Sequence, residues 1–126
     1  MKNKIYIAPE ARRDLDEIFD YILFDLGNPT AAGELVDKIL DAIDQLAEFP
    51  YLGAKLSSIA KVESNYRYLV TENYMTFYRV MGENVFVDRV LYGRRDYLRI
   101  LLPKIRFLPA PSEREPSLRP SGARGP

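Results

Sequence analysis

VFVDRVLYGRRDYLRILL, residues 85–102, joins an apolar strand pattern to a cluster of arginines. Valine and leucine dominate its first part, which predicts a buried strand that reaches Gly93. The side chains that follow the strand are mostly charged or phenolic: Arg94, Arg95, Asp96, Tyr97 and Arg99. Guanidinium groups at the end of a buried strand suit a site that binds a polyanion or catalyses a reaction on one. We therefore expect the upstream residues to form a scaffold that presents this cluster.

The length and composition predict one domain followed by a tail. A chain of 126 residues is near the common domain size, and 47% hydrophobic residues suffice for one core. We assign the domain to residues 1–102. Residues 103–126 hold six of the nine prolines and are rich in arginine and serine, so this tail is expected to be disordered.

The residue types that are absent exclude several kinds of chemistry. The chain has no histidine and no cysteine, which rules out a Ser-His-Asp triad, a thiolate nucleophile and a thiolate zinc site. No phosphate-binding or dinucleotide glycine pattern appears, and we expect no cofactor. Because no apolar run is long enough for a membrane span and no signal peptide is evident, we predict a cytoplasmic protein without membrane contact.

The formal net charge of zero conceals an uneven distribution. Residues 1–50 hold 5 Lys and Arg against 11 Asp and Glu, whereas residues 51–102 hold 8 against 5. The basic second half is compatible with a nucleic-acid face. Overall neutrality nevertheless argues against broad non-specific binding to nucleic acid.

The hydrophobic spacing predicts two helices after a short strand over residues 4–8. Pro9 marks the start of the first helix and Gly27 its end, and the second helix runs from Pro29 towards Pro50. The short connection requires an antiparallel hairpin. The apolar residues expected to be buried are Ala11, Leu15, Ile18, Phe19, Ile22 and Leu26 in the first helix, and Ala32, Leu35, Val36, Ile39, Leu40, Ile43, Leu46 and Phe49 in the second.

The second half of the chain predicts an antiparallel sheet. Residues 51–64 show no period and are expected to form a loop. Three strand-like runs follow over residues 66–71, 74–81 and 85–91, separated by turn-forming residues. Residues 94–102 then predict a short helix. The predicted fold class is α+β, with an N-terminal strand, an antiparallel αα-hairpin packed on an antiparallel β-meander, and a short C-terminal helix.

The middle strand has two faces, and neither is purely polar. One carries Tyr74, Thr76, Tyr78 and Val80, and the other carries Met75, Phe77, Arg79 and Met81. We expect one face to cover the helices and the other to form a partly apolar platform for a partner.

Arginines and one tyrosine form the first candidate site: Arg67, Arg79, Arg89, Arg94, Arg95, Tyr97 and Arg99. Cleavage of RNA needs a group that takes the 2′-hydroxyl proton, positive charge at the phosphate, and an acid for the leaving oxygen. Arginine supplies the charge, and tyrosine can transfer a proton or stack on a base. The alternative is a rim of solvated charges, several of them paired with Asp88, Asp96 or Glu72.

An acidic array is the second candidate: Asp14, Asp16, Glu17, Asp20, Asp37, Asp41 and Asp44. Carboxylates bind metals, but the helical spacing of Asp37, Asp41 and Asp44 is typical of a solvated outer face, and we predict no metal site. Asp14 is expected to lie outside the buried stripe of the first helix. The tyrosines of the sheet region are expected mainly to form cross-strand packing pairs.

The chain resembles the RelE/ParE superfamily of type II toxin–antitoxin toxins over residues 4–102. The sequence segments on which the resemblance rests are DLDEIFDYI (14–22), NPTAA (28–32), LAEFPYLGAKL (46–56), NYMTFYRV (73–80) and VDRVLYGRRDYLRIL (87–101). The resemblance implies one of two activities, which are inhibition of DNA gyrase in ParE-like members and ribosome-dependent mRNA cleavage in RelE-like members.

The resemblance also assigns residues to the nuclease alternative. Arg67 matches the position of a catalytic lysine and Arg95 that of a catalytic arginine. A catalytic tyrosine is expected near Leu101, and Tyr97, one helical turn away in register, is the candidate to replace it. Met75 stands where such nucleases carry another arginine, so the set is incomplete. This gap, the FP-x-x-G segment and the acidic first half favour a non-enzymatic ParE-like toxin, with the endonuclease as the alternative.

Both activities imply a cognate antitoxin that forms a hetero-oligomer with the toxin. We expect the antitoxin to cover Met75, Phe77 and Met81, or the remaining apolar edge of the helical hairpin. The expected contacts with the target, gyrase or ribosome-bound mRNA, are Arg79, Arg89, Arg94, Arg95 and Arg99.

Overall fold

The computed structural model describes residues 2–60, 64–93 and 97–101, and it confirms the predicted α+β fold. Its elements in chain order are β1 (Lys4–Ile7), α1 (Pro9–Asp20), a π-helical turn (Tyr21–Asp25), α2 (Pro29–Asp44), a 3₁₀ turn (Gln45–Ala47), β2 (Ala54–Lys55), a second 3₁₀ turn (Leu56–Ser58), β3 (Tyr66–Thr71), β4 (Tyr74–Met81), β5 (Asn84–Tyr92) and α3 (Tyr97–Leu101). The predicted tail, residues 103–126, lies outside the described residues.

The strands form one sheet in the order β1-β5-β4-β3-β2. β3, β4 and β5 make the predicted antiparallel meander, whereas β1 pairs with β5 in parallel at one edge. The two-residue β2 lies within the segment predicted as a loop, and it pairs with Arg67 and Tyr68 of β3. Two paired residues are too few to produce a period in the sequence, so this strand was not predicted.

The helical hairpin forms because its ends are well specified. Pro29 begins α2, and the side-chain oxygen of Asn28 accepts a hydrogen bond from the Ala31 N–H at 3.0 Å. Gly27 has φ +64°, a left-handed conformation that suits glycine. The predicted stripes are largely buried against one face of the sheet, which we call the helix-side face. Leu26 and Phe49 are exposed instead, because each lies beyond the last regular turn of its helix.

A β-bulge in β5 decides which of its residues meet the helices. The register between β4 and β5 shifts between Phe77 and Tyr78, so Asp88 has no residue opposite it. Val87 and Val90 therefore both join the helix-side core, although residues three apart alternate in a regular strand. The opposite face, here called the α3-side face, carries a second cluster: Leu56, Tyr66, Met75, Phe77, Leu91 and Leu101.

Candidate functional site

Arg79 and Asp88 form an ion pair on the α3-side face. Arg79 donates from Nε to Asp88 Oδ2 at 2.8 Å and from Nη2 to Oδ1 at 3.3 Å. The hydroxyl of Tyr66 donates to the same carboxylate, and the Arg79 guanidinium lies 5.4 Å from the ring centroid of Phe86. This pair agrees with the alternative of paired charges and not with the predicted contact between Arg79 and the target, because the charge of Arg79 is engaged within the protein.

Arg89 is neutralised by Asp14 of α1. Its Nε and Nη2 donate to the two Asp14 oxygens at 2.7 and 2.8 Å, and the Val90 N–H donates to the same carboxylate at 2.9 Å. The hydrogen bond with Asp14 raises the pKa of Arg89. Asp14 is only 6% exposed, so its predicted place outside the buried stripe of this helix was wrong. It lies three residues after Ala11 and four before Ile18, a spacing that places it within the buried stripe.

Arg67 differs from these two arginines because no described carboxylate forms an ion pair with it. Its Nη1 donates to the carbonyl oxygen of Gly53 at 2.6 Å, and its guanidinium lies 4.9 Å from the ring centroid of Tyr51. Lys55 stands directly opposite it across the β2–β3 pair. Like charges in this position repel each other, so Arg67 and Lys55 leave a local excess of positive charge.

The glycine of the FP-x-x-G segment is required by close packing. The N–H of Gly53 donates to the buried Tyr78 hydroxyl at 2.8 Å. A Cβ at this position would lie 2.5 Å from the carbonyl oxygen of Tyr68, a contact that no side chain tolerates. Gly53 thus places its own carbonyl oxygen where Arg67 binds it.

Arg67 and Tyr97, which belong to the predicted nuclease set, lie on opposite faces of the sheet. Arg67 is in register with Tyr78, a member of the helix-side core, and cross-strand partners share a face. Tyr97 packs against Phe77 in the α3-side cluster, with ring centroids 5.3 Å apart. The third member, Arg95, lies outside the described residues, as does Arg94, and Arg99 is exposed on α3.

Met75 and Phe77, two of the three residues predicted to bind the antitoxin, are buried. Met75 is 8% exposed and Phe77 is fully buried, and both belong to the cluster that contains Leu101 of α3. Met81, at the end of β4, is 49% exposed. Of the predicted platform, the structure therefore offers only Met81 as surface while α3 is in place.

A groove of about 610 Å³ opens between the helical hairpin and the end of the meander. Its floor is apolar and includes Ile18, Ile22 and Val90. Its rim carries two carboxylates and three phenols, from Glu17, Glu72, Tyr21, Tyr74 and Tyr92. The sequence predicts mainly cross-strand packing pairs for the tyrosines, and the Tyr74–Tyr92 contact confirms one such pair. The groove was not predicted, because Tyr21 comes to line it with Tyr74 and Tyr92 only through tertiary packing.

The described residues contain neither a metal-binding cluster nor a membrane-spanning helix. Within residues 2–60, 64–93 and 97–101, no group of three or more carboxylates is placed to hold a metal ion. No helix in the same ranges has the length and apolar character needed to cross a membrane.

A protein-family model for the ParE toxin of the type II toxin–antitoxin system parDE matches residues 5–97. The chain belongs to this ParE toxin family. The match confirms the resemblance seen in the sequence, and it makes the chain a toxin of the RelE/ParE superfamily. Among curated proteins, none matches this ParE-family chain.

Two solved structures share the fold of this ParE-family chain. The chromosomal ParDE toxin–antitoxin system from P. aeruginosa has a TM-score of 0.60 at 24% identity, covering 72% of this chain and 96% of that chain. The RelBE2 toxin–antitoxin complex from Mycobacterium tuberculosis has a TM-score of 0.51 at 19% identity, covering 73% and 99%.

Proposed function

We propose that this ParE-family toxin inhibits DNA gyrase without enzymatic activity and that a cognate antitoxin neutralises it in a hetero-oligomeric complex. The observation that carries the choice of mechanism is the position of Arg67 and Tyr97 on opposite faces of the sheet. The match to the ParE family supports the same choice. Arg94, Arg95 and Arg99 stay the predicted contacts with the target.

Cleavage of mRNA requires convergent side chains. The base, the positive charge and the acid must all lie within hydrogen-bond reach of one phosphodiester. A sheet separates Arg67 from Tyr97, and the ring of Tyr97 packs on Phe77. These two residues therefore cannot act on one phosphate, which removes the main support for the endonuclease alternative.

The charge distribution favours a protein target over ribosomal RNA. Binding to RNA depends on lysines and arginines whose charge is available to phosphates. Arg79 and Arg89 are instead paired with Asp88 and Asp14. Residues 1–50 carry an excess of acidic side chains, which adds repulsion for a polyanion.

A supercoiling assay with purified gyrase and the full chain tests this proposal. We expect the wild-type toxin to inhibit supercoiling, and the double variant Arg67→Ala with Tyr97→Phe to inhibit it equally. Primer extension on a translated message should show no toxin-dependent cuts. Unaffected gyrase at a large excess of toxin would contradict the proposal. Cuts that disappear in Arg67→Ala would establish the endonuclease instead.

The antitoxin partner is supported by the two structural neighbours, which are both toxin–antitoxin complexes. Met75 and Phe77 are buried beneath α3. The other surface predicted to bind the antitoxin, the apolar edge of the helical hairpin, is therefore the better candidate. That edge lines the groove described above.

A further inference from the structure

The groove beside the helical hairpin has an apolar floor that continues onto exposed surface. Ile18, Ile22 and Leu35 of the hairpin line the groove together with Val90 of β5. Leu26, which also lines the groove, is 60% exposed. An exposed apolar side chain beside an apolar groove is typical of a protein-binding surface. The floor and Leu26 together suit the apolar face of a peptide segment.

Three tyrosines form a cluster at one side of this groove. The rings of Tyr74 and Tyr92 meet edge to face with centroids 5.6 Å apart. Burial is the main cause that raises the pKa of Tyr74, and the nearby phenols of Tyr21 and Tyr92 add to it. Tyr21 lies on the π-helical turn and is 50% exposed. Tyrosine rings grouped in this way attract a cation through their π-faces.

The carboxylates of the groove differ in how far internal partners satisfy them. Asp14 accepts three hydrogen bonds from Arg89 and Val90, so its charge is used within the fold. Glu72 binds Lys38 at 2.8 Å on the surface. Glu17 is exposed and forms no ion pair with any described residue. None of the described residues that line the groove is Lys or Arg, so the groove keeps a net negative charge.

We propose that this groove binds an apolar segment of the cognate antitoxin, with one Lys or Arg side chain of that segment held among Tyr21, Tyr74 and Tyr92 beside Glu17. The inference rests on the antitoxin partner proposed above. Arginine suits the site best, because its planar guanidinium stacks on a ring while it donates hydrogen bonds to a carboxylate. The apolar floor supplies affinity, and the cation fixes the register of the segment.

Isothermal titration of the purified toxin with the antitoxin encoded beside its gene tests this site. We expect Glu17→Lys and Tyr21→Ala each to weaken binding at least tenfold. Tyr21→Phe keeps the ring, and Asp37→Lys reverses an exposed charge on α2 outside the groove. Both of these controls should bind within twofold of the wild type. Circular dichroism melts confirm that every variant folds.

Charge reversal on the partner identifies the cation. Each Lys and Arg of the antitoxin is replaced in turn by Glu, and one replacement should restore binding to the Glu17→Lys toxin. As a probe independent of the antitoxin, N-acetylarginine amide should shift the NMR ring signals of Tyr21, Tyr74 and Tyr92, whereas N-acetylglutamine amide should not.

The outcomes separate this inference from the proposed function. If the wild type binds the antitoxin tightly and Glu17→Lys and Tyr21→Ala bind equally well, the groove assignment is wrong while the antitoxin partner stands. If the wild-type toxin binds no antitoxin, the proposed partner fails and the inference fails with it. Loss of binding confined to the two groove variants supports both.

Discussion

Asp14 and Glu17 lie three residues apart on α1 and border the same groove, yet they serve different purposes. Asp14 is buried and accepts three hydrogen bonds from β5, whereas Glu17 is exposed and has no ion pair among the described residues. The sequence alone presents both as members of one acidic array. The comparison teaches that a charge is available for a partner only where the fold does not already neutralise it.

The arginines of the meander also divide into those that are paired with a carboxylate and one that is not. Arg79 and Arg89 each hold a carboxylate with two hydrogen bonds. Arg67 is held by backbone carbonyl oxygens and an aromatic ring, which leave its charge in place. Charged residues with similar neighbours in the sequence therefore divide into structural pairs and available charges.

Replacement of Asp14 should produce the largest loss of folding stability, and it is the strongest test of the difference between Asp14 and Glu17. Asp14→Ala leaves a half-buried guanidinium and the Val90 N–H without their partner. Loss of one partner of a buried ion pair costs about 3–5 kcal/mol. Urea unfolding should show a loss of this size for Asp14→Ala and a change of at most about 0.5 kcal/mol for Glu17→Ala. Equal losses for the two variants would refute the distinction between them.

Tyr66→Phe is expected to have an intermediate effect, because it removes one of the donors to Asp88 but leaves Arg79 in place. A hydrogen bond to a charged group contributes about 1.5–3 kcal/mol, so we expect a loss of about 2 kcal/mol in urea unfolding. Arg67→Gln is a suitable control, since it removes no hydrogen bond to a carboxylate and should cost less.

Tyr66→Phe also changes how the free energy of unfolding depends on pH under alkaline conditions. Burial, followed by the hydrogen bond to Asp88, raises the pKa of Tyr66 well above that of a free phenol. Above about pH 10 the unfolded chain loses this proton while the folded chain keeps it, so the free energy of unfolding falls as the pH rises. Below that pH this tyrosine causes no change. Tyr66→Phe should show a shallower alkaline loss than the wild type, and identical slopes would show that Tyr66 is not the group responsible.

Lys38→Ala should have the smallest effect. The Lys38–Glu72 pair is 2.8 Å long but its side chains are 62% and 51% exposed. Exposed pairs contribute about 0–1 kcal/mol and weaken with salt. We expect the smallest loss of stability among these variants, and it should disappear at high ionic strength. A salt-independent loss as large as that of Tyr66→Phe would place this surface pair with the buried ones.

Much of the fold follows from local patterns. The hydrophobic spacing of residues 9–26 and 29–46 specifies the helices, and period-two alternation with intervening turns specifies β3, β4 and β5 within a residue or two. These patterns report only which face of an element is apolar. They also carried the family resemblance, since the order and length of the elements are themselves local properties.

The candidate sites depended on contacts that local patterns do not contain. Asp14 and Arg89 are 75 residues apart in sequence, and Tyr21 reaches Tyr74 and Tyr92 only once the hairpin lies on the sheet. By itself, the sequence determined the elements, the two-layer packing of hairpin on sheet and the toxin family. Only the tertiary structure decided which charges are neutralised, that Arg67 and Tyr97 lie on opposite faces, and where a groove stays open. The physical reason is that periodicity acts over a few residues, whereas ion pairing and burial depend on distances in space.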